Sequence, residues 1–266
     1  MTLNSILPLG DALKVSAIVP ARNEAESIEA VLRGLSTLRG ECGEPLICEI
    51  VVADNGSSDG TGLIARRAGA HVIPVPQPGY GRACWEATQA SRGDVLLFVD
   101  ADGAADPTQA AALLAEIERG ADLVIGVRER PDPHAMSAAQ RWGNGLACAL
   151  MRLIWGVPAR DLGPYRAIRR HAFDALRMRD RGYGWTVEMQ MRAHRLGLRV
   201  AQCPVSWHAR TGGASKISGT VRGVVGAGCG ILGMIAQLWL QEWCRPVCET
   251  TPFHSPGASA TTLARR

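Results

Sequence analysis

No long block of lysine or arginine occurs in the chain, which removes the electrostatic footprint expected of a nucleic-acid-binding protein. No C-x-x-C pair occurs among the eight cysteines, and this excludes the common zinc frameworks. Scattered through apolar segments, most of them are expected as small buried hydrophobes in a reducing compartment, with only Cys244 and Cys248 close together. Residues 1–14 hold no positive segment leading into a long apolar core, so no secretory signal is expected and the folded part is expected to face the cytoplasm. What is present is ordinary: 266 residues, 47% apolar and 20% charged, enough for one large core followed by a tail. A formal charge of +4 suits phosphorylated partners or an anionic membrane surface without demanding either.

Short apolar runs alternate with helical patterns. Val15 to Pro20, Glu49 to Ala53, His71 to Val75, Val95 to Val99 and Leu123 to Val127 predict five buried strands. Between them, Asn23 with Glu26 three residues on predicts the cap of a helix carrying Ile28, Val31, Leu32 and Leu35. A short helix to about Ala68, another opening at Gly79-Tyr80-Gly81-Arg82, and a third starting at Asp106-Pro107-Thr108-Gln109 complete the alternation. This is the signature of an α/β fold, a doubly wound, mostly parallel sheet with helices on both faces. Beyond it, Met136 to Trp155 predicts a helix with Trp142, Leu146, Leu150 and Leu153 on one side, and Asp161 to Arg166 a loop entering a short helix. A helix from about Thr186 to Leu196 ends at Gly197, and Arg199 to Trp207, with Pro204 inside, predicts an edge strand.

The fourth strand runs into Asp100-Ala101-Asp102-Gly103. In open α/β sheets ligands bind beyond the carboxyl ends of the strands. Two carboxylates separated by one residue repel each other unless a cation lies between them, and hard oxygen donors suit Mg²⁺ or Mn²⁺ carrying a diphosphate. An Asx turn closing the strand accounts for the same residues, and on these alone the turn is favoured.

Several further segments have their own chemistry: Val19-Pro20-Ala21-Arg22-Asn23-Glu24, Asp54 to Thr61, Gly79 to Arg82, Gly126-Val127-Arg128, Asp161 to Arg166, and Arg210 to Lys216. With the acidic pair, and in this order, they resemble glycosyltransferase family 2, of GT-A fold, and within it the dolichyl-phosphate mannose or glucose synthase-like branch, over roughly residues 15–220. The resemblance implies that Pro20, Ala21, Arg22, Glu24, Asp54 and Asn55 hold the base and ribose of a nucleotide sugar, with Gly79, Arg82 and Asp100 completing its site. It implies that Asp102 and Asp100 place the Mg²⁺ or Mn²⁺. Gly79 and Gly81 would let backbone approach the nucleotide, whereas Asp59 is expected only as a helix cap. Ala104 stands where polyprenyl-phosphate members carry glutamine, so a third metal ligand is unassigned; His208 is one candidate, though a lone histidine is more often structural.

Glu188 is the candidate catalytic base by the same resemblance, with a purely orienting role as the alternative, because the first turn of a helix favours its ionised form. Arg128 and Arg210 match arginines that contact an acceptor phosphate in the resembling branch, and Arg141 and Lys216 add cationic donors of the same kind, with a solvated basic surface as the alternative. The expected activity is inverting transfer of a hexose from UDP-glucose or GDP-mannose to a polyprenyl phosphate. A hydroxyl acceptor is the alternative within the class. A dinucleotide-dependent oxidoreductase built on Gly79-x-Gly81-x-x-Cys84, and a non-catalytic sugar-nucleotide sensor, are the alternatives outside it.

Residues 223–241 carry no charge but include five glycines and two glutamines. They match the length of a bilayer's apolar layer, and an interfacial helix, a span and a buried helix are all open. Arg210, Lys216 and Arg222 precede them, which places the enzyme on the cytoplasmic face of the membrane, or in the cytoplasm. The expected organisation is a catalytic domain over residues 1–220, an apolar membrane-associated or interfacial helix over 221–243, and a disordered tail over 244–266.

Overall fold

The computed structural model describes residues 13–40, 43–129, 135–210 and 221–243. Lys216 and the expected tail lie outside them. Seven strands form one sheet in the order β3-β2-β1-β4-β6-β5-β7. They are β1 (Val15–Ala21), β2 (Glu49–Asp54), β3 (His71–Pro74), β4 (Val95–Phe98), β5 (Leu123–Arg128), β6 (Arg166–Arg169) and β7 (Val200–Val205). Every pairing is parallel except those of β6, which runs antiparallel between β4 and β5. A loop leading into a helix was expected where β6 lies. Arginines at both ends of a four-residue strand hide its apolar centre from pattern reasoning, and only its neighbours in the sheet bury it.

Period-two alternation places a core on each face of the sheet. Val15, Ala17, Val19 and Ala21 of β1, with Val95 and Leu97 of β4, pack under α1 (Ile28–Ser36) and α4 (Ala110–Glu118). Ile18, Leu96 and Phe98 point the other way, toward α3 (Tyr80–Ala90), α6 (Arg170–Leu176) and α7 (Trp185–Arg195). Phe98, Phe173 and Trp185 meet there with ring centroids 5.9–6.2 Å apart. Fully burying each such ring is worth about 1.5–3 kcal/mol or more, so β4 is fixed at the centre of the molecule by its own side chains.

Some local details differ from what the pattern predicts, and others that it left open are settled. Asn23 does not cap α1: it has φ 52°, and its Oδ1 accepts from the Ser58 N–H, while Ser27 stands at the cap position. On α5 (Ala138–Trp155) the stripe of Trp142 and Leu153 faces outward, 71% and 82% exposed, and the packed side is Ala147, Cys148 and Met151. Ala147 and Cys148 there admit close approach of α8, which the larger side chains would prevent. Residues 221–243 do form a helix, α8 (Val221–Trp243), whose Met234, Ile235 and Leu238 pack on α5 and α7. Among the described residues, however, no helix is long and apolar enough to cross a membrane. Of the five described cysteines, all free thiols, Cys84 and Cys148 are buried as expected, whereas Cys48 and Cys229 are exposed.

Gly79 and Gly81 do not make room for a ligand in this structure. A Cβ on Gly79, at φ 143°, would lie 2.2 Å from the carbonyl oxygen of Arg181, and one on Gly81 would lie 2.9 Å from that of Asp180. The Gly81 and Arg82 N–H groups donate to Gly182 and Arg181 carbonyls, so the 180–182 loop closes the start of α3. Gly79→Ala is therefore expected to cost about 2–3 kcal/mol of stability. Urea denaturation checks this, and an unchanged midpoint would contradict the close approach.

Candidate active site

Parallel strands β1, β2 and β4 deliver their carboxyl ends to one rim of the sheet. Pro20 and Ala21 end β1 buried, pairing with Ala53 and Asp54, and Arg22 follows exposed. The two loops beyond are sewn together by side-chain to backbone bonds. The Asn23 N–H donates to Ser57 Oγ, the Glu24 N–H to Thr61 Oγ1, and the Ala25 N–H to Asp59 Oδ2. Asp59 also accepts from the Thr61 N–H at the start of α2 (Thr61–Arg67), but Gly60, in the left-handed region, stands at the cap position in place of the expected Asp59. Asp54 Oδ1 accepts from the Ser57 N–H, and its Oδ2 lies so close to Gly62 that a Cβ there would sit 2.4 Å away. Asn55 is committed to the connector after β3: Nδ2 donates to the Val75 and Gln77 carbonyls, and Oδ1 accepts from the Gly79 N–H.

The acidic pair sits where the chain leaves β4. Asp102 Oδ1 accepts from the Ala104 N–H at 2.9 Å, so the Asx turn is real. Its Oδ2 takes the Arg210 guanidinium, with Nε 2.9 Å away, and Arg210 Nη2 reaches Glu24 Oε1 at 3.1 Å. One cation thus bridges carboxylates from the ends of β1 and β4. Ser27 Oγ donates to the Ala101 carbonyl and fixes the two loops to each other. Asp100 Oδ1 accepts from the Tyr80 hydroxyl at 3.1 Å. Burial, then the neighbouring Asp102 charge, pushes the Asp100 carboxyl up to about 7.

Among the described residues no group of three His, Cys, Asp or Glu is placed to hold a metal. His208 is exposed and only its backbone N–H reaches this loop, donating to the Ala104 carbonyl. Two hard carboxylates short of positive charge nevertheless fit a Mg²⁺ or Mn²⁺ whose other ligands are diphosphate oxygens and water, the usual coordination of such ions in phosphate sites.

The remaining predicted residues are held elsewhere. Arg128 places a bidentate fork on Asp161, with Nε 2.8 Å from Oδ2 and Nη2 on Oδ1, and lies over the Trp207 ring at 5.3 Å. Desolvation raises the Asp161 carboxyl, but the Arg128 hydrogen bonds and charge outweigh it and hold the pKa below the usual carboxylate range. Arg141, at the start of α5, is exposed and turns Nη1 back to the Met136 carbonyl. Arg82 is half-buried in the first turn of α3. Glu188 is buried in the first turn of α7, its carboxylate accepting from the Arg179 and Asp180 N–H groups and from Arg192 Nε. It shapes the 179–180 backbone beside a cavity of about 240 Å³ that Met234, Gln237 and Leu238 of α8 help to line.

Two residues escaped sequence reasoning. Tyr80 was seen only as part of a glycine turn, yet it bonds Asp100. Arg166 was placed in a loop but is 1% exposed, donating from Nε to the Gly163 carbonyl and from Nη1 to that of Thr186. Its Nη2 finds no acceptor in the structure, and burial lowers its pKa to about 10. A buried arginine in a strand has no periodic signature that marks it.

The geometry argues against a dinucleotide oxidoreductase, because the α3 N–H groups that would cradle a dinucleotide already serve the 181–182 carbonyls, and an acidic strand end on a mostly parallel α/β sheet fits a transferase better. The model of Glycosyl transferase family 2 matches residues 16–177, and the chain belongs to that family. It is 36% identical over 216 residues to an uncharacterized glycosyltransferase of Mycobacterium tuberculosis, covering 81% of this chain and 94% of that one. It is 33% identical over 229 residues to the undecaprenyl-phosphate mannosyltransferase of Micrococcus luteus, covering 80% and 90%. Among solved structures, glucosyl-3-phosphoglycerate synthase from Mycobacterium tuberculosis, in complex with Mn²⁺, UDP-glucose and phosphoglyceric acid, superposes with a TM-score of 0.67 at 25% identity, covering 84% of this chain and 80% of that one.

The Arg128–Asp161 pair gives a test of the scaffold. Because the folded pKa of Asp161 is depressed, its contribution is fully present above the unfolded value near ~4 and is lost as pH falls through the lower folded value. Asp161→Asn is expected to destabilise by about 3 kcal/mol at pH 7, with the gap to wild type narrowing in acid. Urea midpoints measured across pH 7 to pH 3 check this, and a gap independent of pH would reject the ion pair.

Proposed function

We propose that this glycosyltransferase moves a hexose, with inversion, from a nucleotide sugar such as UDP-glucose or GDP-mannose to a polyprenyl phosphate, at a membrane surface contacted through residues 223–241. The observation that carries the acceptor class is the state of Glu188. A hydroxyl acceptor needs a base to take its proton, and the expected base is buried with its oxygens engaged by two backbone N–H groups and Arg192. A phosphate acceptor is already ionised near pH 7, since its second pKa is about 6. Its oxygen attacks the anomeric carbon, the bond from that carbon to the diphosphate breaks, and the nucleoside diphosphate leaves. The similarity to a mannosyltransferase named for undecaprenyl phosphate supports the same choice.

In this reading Asp100 and Asp102 hold the divalent cation together with the diphosphate, and when bound it offsets the charge that develops on the leaving group. Glu24, Asp54 and the backbone at Pro20 and Ala21 border the nucleoside. Arg210 bridges Glu24 and Asp102 in the folded chain, offsetting part of their charge, and competes with any other cation for them; released from Asp102, it is the guanidinium best placed for an acceptor phosphate. Arg128 and Arg141 support that side, with Arg128 anchored by Asp161.

A second reading, transfer to a hydroxyl of a small phosphorylated acceptor, draws on the structural likeness to a synthase solved with phosphoglyceric acid. There Asp180, half-buried and with its carboxyl raised by desolvation, is the candidate base, although its Oδ1 already accepts from the Gly182 N–H at 2.8 Å. The deciding experiment incubates the full chain with Mn²⁺, labelled UDP-glucose or GDP-mannose, and a polyprenyl phosphate or phosphoglycerate. Label is expected in the organic phase with the lipid acceptor and nowhere with Asp102→Ala. Label entering only phosphoglycerate would replace the lipid reading with the second one, and full activity of Asp102→Ala would remove the cation assignment.

A further inference from the structure

Charged side chains buried among the described residues are paired, with one exception. Glu24, Asp102, Asp122, Asp161 and Glu188 each have an arginine nitrogen within 3.8 Å. Arg166 is 1% exposed, yet among the described residues it donates to two backbone carbonyls alone, those of Gly163 at 2.7 Å and Thr186 at 2.8 Å. Its Nη2 has no acceptor among them. The segment leading into Arg166 is not loose. Both Asp161 oxygens are taken by Arg128, the Asp161 carbonyl accepts from Gln190 Nε2, and the Tyr165 carbonyl accepts from the Gly126 N–H.

A water molecule could satisfy the Nη2 hydrogens but not the charge. Taking a cation out of water without a counter-charge is costly, and an apolar side chain of similar volume is often the more stable choice. A buried guanidinium with one nitrogen unused is what an anion from outside the chain would complete.

Position narrows the choice of anion. Arg166 opens β6 level with Phe98 of β4 and Ile125 of β5, between the strand that runs into Asp100 and Asp102 and the strand that ends in Arg128. Its charge acts on Tyr80, which bonds Asp100, and on Asp161 and Arg128. A diphosphate with its divalent ion belongs with the two carboxylates. On the other side Asp161 matches the charge of Arg128, so the positive charge left over there is that of Arg166. A phosphomonoester dianion suits it in both charge and hydrogen bonding.

We infer that Arg166 is a binding residue for the phosphate group of the acceptor, acting through its fixed charge and its Nη2 donors. The inference rests on the reading of a phosphate-bearing acceptor, and it holds alike for a polyprenyl phosphate and for phosphoglycerate. The Gly163 and Thr186 carbonyls fix the guanidinium before the ligand arrives, so no reorganisation is needed to present its charge. Nη2 is shielded from solvent, so direct contact requires the turn at Gly163 to Tyr165 to move aside, whereas the charge acts in either position.

Isothermal titration of the full chain tests this with three ligands: Mn²⁺ with UDP or GDP, a short water-soluble prenyl phosphate, and phosphoglycerate. Arg166→Gln removes the charge and keeps an amide for one carbonyl. It is expected to weaken binding of the acceptor that wild type takes by about tenfold or more, and to leave the nucleotide affinity within about twofold. Arg166→Lys keeps the charge without the fork and is expected to bind that acceptor within about threefold of wild type. Equal loss of nucleotide affinity in Arg166→Gln would move the residue to the donor diphosphate, and unchanged acceptor affinity would make it a strut between two carbonyls; either result overturns the inference. If circular dichroism shows that Arg166→Gln does not fold, Arg166→Lys decides, and a loss of about tenfold in its acceptor affinity overturns the inference as well. Wild type that binds phosphoglycerate but no prenyl phosphate rejects the polyprenyl reading and leaves Arg166 to be judged on phosphoglycerate. Wild type that binds neither rejects both.

Discussion

Three carboxylates brought to the ends of two central strands set the terms for the rest of this molecule. Glu24 leaves β1, Asp100 and Asp102 leave β4, and β1 and β4 are neighbours in the sheet. At an effective dielectric near 20, two unit charges about 4 Å apart interact by roughly 4 kcal/mol, so a partly buried acidic cluster of this kind is relieved by a proton, as the raised Asp100 carboxyl reflects, or by a cation. Arg210 provides it from the segment after β7, at the far edge of the sheet. The fold thus stores positive charge at the place where a divalent ion with a diphosphate would be held.

Around that cluster, polar side chains act mainly on the protein's own backbone. Asn55 holds the connector that leads to α3, Asp161 holds Arg128, and Glu188 holds the 179–180 turn. Each saturates backbone or guanidinium donors that would otherwise be buried unpaired at real cost. The loops at the carboxyl rim are fixed before any substrate arrives, which is the preorganisation that transfer chemistry requires. Residues resembling ligand contacts can therefore be one step behind the ligand, shaping the loop that makes the contact.

The strands were legible because apolar runs buried on both faces need no context, and β1, β2, β4 and β5 begin and end within a residue or so of where pattern alone places them. The antiparallel β6 was not, since four residues flanked by arginines carry too little periodicity. The outward stripe of α5 was visible as a stripe, but spacing cannot say which side of an amphipathic helix meets the core when the inner side is built from alanine, cysteine and methionine. At the site, residue types and order pointed to Glu24, Asp100, Asp102 and Arg210. Their mutual arrangement was hidden, because Arg210 lies 108 residues from Asp102 and 186 from Glu24. For the same reason the closure of α3 by Arg181 and Gly182 gave no local sign beyond the glycines themselves.

If Arg210 is the resident counter-charge of the acidic cluster, removing its charge while keeping its bulk should leave those carboxylates seeking another cation. The direct measurement is Mn²⁺ affinity, by electron paramagnetic resonance, of wild type and Arg210→Met without nucleotide. The account predicts that Arg210→Met is less stable in the absence of metal yet binds Mn²⁺ about tenfold more tightly, a difference of about 1.4 kcal/mol. Unchanged or weaker Mn²⁺ binding by a folded Arg210→Met would contradict it.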